Sequence, residues 1–416
     1  MILIDKHARM RKWKVVALAF AKPRNNRQAR FFSGKRNCLK LIGVRKVKMA
    51  NSHTLRFVRE DSFPQGLHDS IIYSIYMDQI DFLAIGDIVI DAFIRLKDAE
   101  VHCKLNNEEC EICMRWGDKI PYESATVIPA VGNSANAAVA AARLGLKTAL
   151  RAYVGADQYG QECLAALIRE KVDVTYIEKV DGKNTNYHYV LWYADNRTIL
   201  VKHETFDYTV PQMVAGPKWL YLSSLGANSL PYHYAILEQL KRWPETKLAF
   251  QPGTYQFEFE EHLKLEDHIE KLAELYKRTD LFVCNKEEAE KILGMQPGSD
   301  IKELLSGIKA LGPKITVITD DKRGCYAVDE SQKMIHVPRY PDSRPPFEIT
   351  GAGDALASGT TAALALGKSL DEALRWGSAN ASAVLQEIGA QKGLLDRATL
   401  EQHVANPPAA WNIENL

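Results

Sequence analysis

The sequence predicts an α/β protein: a doubly wound, mostly parallel sheet with helices on both faces, plus a small β lid. Three observations carry this. Short, near-continuous apolar runs alternate with helical patterns from residue 81 onward in the 416-residue chain, and strands apolar on every residue belong to sheets covered on both faces. Two polar or aromatic segments, near 97–122 and 186–203, break the alternation and read as lid. A composition of 46% hydrophobic and 25% charged residues is that of a globular protein with a sizeable core.

Charge divides the chain in two. Residues 1–76 carry 17 Lys and Arg against four acids, whereas 77–416 carry 36 against 48. The basic segment lacks a sustained helical stripe or alternating strands, so it is expected to be a poorly ordered extension. Its apolar run at 15–21 is at the minimum length for a secretory signal. An Arg-rich, acid-poor segment also suits a transit peptide or a nucleic-acid-binding arm. Met77 stands just before the first patterned strand, and the favoured reading is an upstream extension outside the working protein, which then occupies 77–416.

The candidate strands are 82–85, 148–154, 219–222, 247–250, 281–284 and 316–319, and the helices 135–144, 161–170, 232–241, 286–293, 301–311, 355–366 and 370–385. The runs 186–192 and 198–203 alternate around Ala194-Asp195-Asn196-Arg197, a turn-forming composition, and read as a hairpin. No run approaches the roughly 18 to 20 apolar residues of a membrane-spanning helix. Seven cysteines are too few for a disulfide scaffold. Cys163, Cys284 and Cys325 sit singly in apolar surroundings, as buried thiols do in a reducing, cytoplasmic compartment.

The strongest chemical signal is Thr350-Gly351-Ala352-Gly353-Asp354 opening a helix. Successive backbone N–H groups there converge on one point and the helix dipole adds to them, which makes an anion hole. An aspartate would repel a resting anion. Its presence is explained if Asp354 takes the proton of a hydroxyl attacking phosphorus held beside it; otherwise it is a helix-terminal charge. Asn285 and Glu288 follow an apolar strand directly, at the carboxyl edge where open α/β sheets bind ligands. They suit a water-coordinated magnesium ion, or equally a capping box.

These motifs, with Gly132-Asn133-Ser134-Ala135-Asn136, Val154-Gly155-Ala156-Asp157 and Ile318-Thr319 with Gly324, resemble the ribokinase family, the PfkB-type carbohydrate and nucleoside kinases, over about residues 81–395. The resemblance implies ATP and magnesium as cofactors and an alcohol of a small, ribose-like sugar as acceptor, with a nucleoside as the alternative. It implies Asp354 as general base, Gly351, Ala352 and Gly353 as anion hole, and Asn285 and Glu288 organising magnesium. Asp87, Asp91, Gly132, Asn133 and Asn136 would bind substrate. Thr319, Gly324 and Asn380 would lie along the nucleotide. Glu348 stands where the family has aspartate near a monovalent-cation site, and Asp321 where it often has glycine.

Other signals weigh less. His102, Cys103, Cys110 and Cys113 include one C-x2-C pair, but the second pair is irregular, so free thiols or a redox-sensitive pair are preferred to zinc. Tyr187, Tyr189, Trp192 and Tyr193 suit lid packing, a homodimer contact through the lid, or stacking on a nucleobase. Gln251-Pro252-Gly253-Thr254 reads as a turn or a ligand contact. A noncatalytic sugar or nucleotide sensor is disfavoured by an aspartate beside its anion hole.

Overall fold

The computed structural model describes residues 79–416 except 104–109, 195, 254–255, 257–272 and 409–410, and of the earlier chain only the backbone of 46–49 and 55–58. The chain divides into two units, Met1–Tyr76 and Met77–Leu416. In the first, β1 (Lys46–Met49) pairs antiparallel with β2 (Leu55–Val58), strands the sequence pattern did not predict. The remaining residues of the basic extension lie outside those described.

The second unit is built on a ten-stranded sheet. Its parallel body runs β15 (Ile315–Thr319), β14 (Leu281–Asn285), β13 (Lys247–Phe250), β12 (Trp219–Leu222), β3 (Phe82–Ile85), β8 (Thr148–Gly155) and β9 (Ile177–Val180). The edge beyond β15 is antiparallel: β16 (Cys325–Val328), β17 (Met334–Val337) and β18 (Glu414–Asn415). In β3, Phe82 and Ala84 enter one core while Leu83 and Ile85 enter the other. Period-two alternation thus disappears from the sequence because both faces are dry.

Helices α1 (Asn133–Arg143), α6 (Ala352–Ala365) and α7 (Leu370–Val384) cover the first core. The second is covered by α3 (Leu230–Arg242), α4 (Lys286–Leu293) and α5 (Ile301–Ala310). Helices α2 (Gln158–Arg169) and α8 (Arg397–Ala405) complete the set. The alanine-rich α1 packs against α6, which packs on α7. Small side chains let these backbones approach closely and fix the axis of α6, whose first turn carries Asp354.

The lid is a separate four-stranded sheet, ordered β11 (Asn196–Leu200), β10 (Asn186–Tyr193), β4 (Val89–Leu96) and β7 (Tyr122–Val131). Strands β10 and β4 are parallel, with His188 opposite Asp91 and Trp192 opposite Arg95. The predicted hairpin is present with a shorter turn. The segment 97–122 is different: it forms a two-stranded ribbon, β5 (Glu100–His102) and β6 (Glu111–Cys113), and the lid strands are its flanks. The pattern hid them because β4 is buried almost throughout, while the outer half of β7 is exposed on both faces. Cys103 and Cys110 form a disulfide across the ribbon and Cys113 is free, so the bonded pair is not the C-x2-C pair. No cluster of three or more metal-ligating side chains occurs among the described residues. Cys163, Cys284 and Cys325 are free and buried, and burial pushes the Cys163 and Cys325 thiols up to about 12. No helix among the described residues is long and apolar enough to cross a membrane.

Candidate active site

The carboxyl ends of the parallel strands release the loops that carry the candidate residues, the position expected of an open α/β site. Asp87 follows β3, Gln251 follows β13, Asn285 ends β14, and Thr319 ends β15 opposite Asn285. The turn before α6 faces this edge. Gly351 is the N-cap residue with φ 84°, a left-handed conformation that glycine adopts without strain. A methyl group there would also strike Ala390. The Thr350 N–H and hydroxyl donate to Glu348 Oε1 at 2.8 and 2.5 Å, which pins the residue entering the turn.

Asp354, in the first turn of α6, receives two amide hydrogen bonds. Asn136 Nδ2 donates to Oδ2 at 2.8 Å and Gln251 Nε2 donates to Oδ1 at 3.1 Å. Their partners fix both amide orientations. The Tyr221 hydroxyl donates to Gln251 Oε1, and Gln391 Nε2 donates to both the Ala130 carbonyl, which can only accept, and Asn136 Oδ1. The chain through Gln391 fixes the Asn136 N–H toward Asp354, and the ionised Asp354, which can only accept, fixes the Gln251 N–H, since the Tyr221 hydroxyl can donate or accept. Burial raises the Asp354 carboxyl above its ordinary range, the two amide donors pull it back, and the charge of Asp91 pushes it up again. The result is a partly desolvated carboxylate with one acceptor direction on each oxygen already used.

Asp87 and Asp91 are buried on the lid side. The Tyr208 hydroxyl donates to Asp87 at 3.0 Å and itself accepts from the Gly226 N–H at 3.0 Å. His203 Nδ1 lies 3.5 Å from Asp87 Oδ2 and His188 Nδ1 3.5 Å from Asp91 Oδ1, and the two Nε2 atoms are 3.2 Å apart. Asp91 Oδ1 is buried without a hydrogen-bond partner. Gly132 caps α1 with φ 103°, and a side chain there would strike the Asp87 carbonyl. Asn133 begins α1, half-buried.

Asn285 and Glu288 form the capping box: Asn285 N–H donates to Glu288 Oε2 and Glu288 N–H to Asn285 Oδ1, both at 2.8 Å. Burial pushes the Glu288 carboxyl up to about 7, the Asn285 N–H opposes that shift, and the nearby Asp354 charge adds to it. A carboxyl that stays protonated in the folded state above its ordinary 4.5 adds stability below 4.5 and loses it as pH rises through about 7. Without ligand, the protein should lose roughly 3 kcal/mol through this group over that window. Urea unfolding at several pH values should show the Glu288→Gln curve flatter there; parallel curves would remove the effect.

Beyond β15, Gly324 (φ 94°) turns the chain into β16 against the Val337–Arg339 backbone. Asp321 has φ 43°, so a residue with a side chain occupies a conformation better suited to glycine. Asn380 is fully buried and its Oδ1 accepts from the Leu395 N–H at 2.9 Å. It therefore holds α7 to the chain before α8 rather than lining an open surface. Sequence reasoning missed Gln391, Tyr221, Tyr208, His188 and His203, and left Gln251 open between a turn and a ligand contact. None has a local motif, and their partners are 15 to 261 residues away.

The model of the pfkB family of carbohydrate kinases matches residues 105–397. Ribokinase from Bacillus subtilis is 27% identical over 290 residues, covering 69% of this chain and 91% of that protein. Cytidine kinase from Thermococcus kodakarensis is 29% identical over 264 residues, covering 62% and 88%. Among solved structures, Arabidopsis thaliana ribokinase complexed with ribose and ATP superposes with TM-score 0.61 at 18% identity, covering 79% of this chain and 99% of that one. Methanocaldococcus jannaschii nucleoside kinase gives the same score at 17% identity and the same coverage. The shared fold and a family match spanning well over half of the sequence show that this chain belongs to the pfkB family of carbohydrate kinases.

Proposed function

We propose that residues 77–416 transfer the γ-phosphoryl group of ATP to an alcohol of a small, ribose-like sugar. The observation that carries this is the Asp354 carboxylate at the mouth of the Gly351–Ala352–Gly353 turn, aimed by two amides of fixed orientation. The sugar would be held by Asp91, whose Oδ1 is an unsatisfied buried acceptor, with Asp87 and Asn133 beside it. Asp354 removes the hydroxyl proton, the hydroxyl oxygen bonds to the γ-phosphorus, and the bond to the β-phosphate oxygen breaks to release ADP. The turn's N–H groups stabilise charge building on the transferred group. Thr319 and the Asp321–Gly324 loop would flank the nucleotide.

Magnesium fits the other edge. Burial and, to a lesser degree, the Asp354 charge raise the proton affinity of Glu288, and a divalent cation held nearby would relieve the repulsion between the carboxylates. Asn285 and Glu288 would hold it through water, neutralising phosphate charge. Activity should therefore require magnesium.

Lid orientation supports a sugar over a nucleoside. His188 and Trp192 share one face of β10 with Asp91 and Arg95 of β4, whereas Tyr187 and Tyr189 point to the other face and pack with each other and Tyr159. Trp192 is buried against Phe347. The tyrosines are thus placed for lid packing or subunit contact rather than for stacking on a base over Asp91. A coupled assay of ATP turnover across ribose, fructose, other small sugars and nucleosides tests the assignment. The expected result is a sugar preference that Tyr189→Ala leaves within about twofold, since stacking on a base would be worth about 1–3 kcal/mol. A nucleoside preference lost in that variant would reverse the assignment.

A further inference from the structure

The inner face of the lid meets the main sheet's loops just ahead of the phosphate turn. Trp192 crosses Phe347 edge-on at 5.2 Å between ring centroids, and the Arg95 guanidinium lies 4.7 Å from the Trp192 ring centre. Across the hairpin, Arg197 is the residue paired with Trp192. Its Nε lies 3.9 Å from Glu348 Oε1. The Glu348 side chain is only 2% exposed, its Oε2 is buried without a hydrogen-bond partner, and so is Arg197 Nε. Each orphan lacks what the other has, and both are costly to leave buried and unpaired.

We propose that Arg197 is a positioning residue: when substrates draw the lid down, its guanidinium closes onto Glu348 and so couples lid closure to the geometry of the Thr350–Gly353 turn. The coupling has a physical path, because Glu348 Oε1 accepts both bonds from Thr350, the residue that leads into Gly351. A shift of about 1 Å converts the present approach into a charge-assisted fork of hydrogen bonds. The proposal rests on the reading of that turn as the phosphate site. In this structure the guanidinium stands at ion-pair distance, 3.9 Å from Glu348 Oε1, without a hydrogen bond to it.

The test uses the full chain with Arg197→Ala and Arg197→Lys. The alanine variant is expected to lower kcat by about 10- to 100-fold, the cost of misplacing reacting groups by about 1 Å, with the acceptor KM within threefold. Lysine should restore part of the rate, and added methylguanidinium should rescue the alanine variant. Hydrogen exchange of residues 346–353 with acceptor and a non-hydrolysable ATP analogue should show ligand-induced protection that the alanine variant lacks. A kcat within twofold of the parent, a raised KM at unchanged kcat, or potassium rather than guanidinium restoring the rate would each overturn the proposal. If the parent transfers phosphate to no sugar or nucleoside, the functional reading fails. The exchange experiment still decides whether Arg197 orders the turn.

Discussion

Replacing Asp354 with asparagine is expected to cut turnover by about two to four orders of magnitude, the usual loss for a general base, while leaving the fold and ATP binding intact. Asparagine is nearly isosteric and still suits the first helical turn. It retains one acceptor oxygen for either Gln251 or Asn136, but its amide group would face the other donor, and it cannot take a proton at neutral pH. If Asp354 were only a helix-terminal charge, the substitution would cost about 0.3 to 1 kcal/mol of stability and leave the rate nearly unchanged. Single-turnover rates at saturating substrates, compared with nucleotide affinity and melting temperature, separate the two. A variant within about threefold of the parent rate would take Asp354 out of the mechanism and remove the main support for phosphoryl transfer at this turn.

How far such a site can be read from sequence depends on where its geometry is made. The Thr350–Asp354 turn was legible as a helix start because a few consecutive residues build both the left-handed cap and the position of the carboxylate. The spacing of Asn285 and Glu288 was legible too, and the capping box it suggested is present; its value near a second carboxylate was not, because the charge of Asp354 arrives from another element. Parallel strands of the main sheet were recognised nearly to the residue where they are apolar on both faces; the half-exposed edge strand β9 was not. Strands β4 and β7 were not, because their partners lie in distant sequence and one is half exposed. Gln391 illustrates the limit most sharply. Nothing around it marks it as part of a site, yet it reaches across 255 residues to set which end of the Asn136 amide meets Asp354. Asn380 shows the converse: an amide in an apolar helix invites a ligand, and its oxygen satisfies a buried backbone N–H that no local pattern announces.

The amide network itself makes the second large prediction, for Asn136→Asp. The wild-type amide donates to Asp354 at 2.8 Å and opposes the upward pull of burial on that carboxyl. The substitution keeps the shape and exchanges a donor for a second carboxyl, and two carboxylates this close are not both ionised near neutral pH. One proton is then shared across the pair, whose titration belongs to both groups together. Because a base works only when ionised, holding its proton more tightly lowers activity at a given pH, by about tenfold for every pH unit that the midpoint of its titration rises. The variant is expected to be about 100-fold slower at pH 7 and to recover progressively as pH rises, whereas Asp354→Asn should stay slow at every pH. The change should appear in kcat, measured from about pH 6 to 9 at saturating ATP and acceptor. Asn136→Ala removes the donor without adding charge, so its profile should move in the same direction by less. An Asn136→Asp profile that is uniformly low without an alkaline recovery would mean that Asn136 acts on substrate geometry, and that the proton affinity of Asp354 is not what its amide partners control.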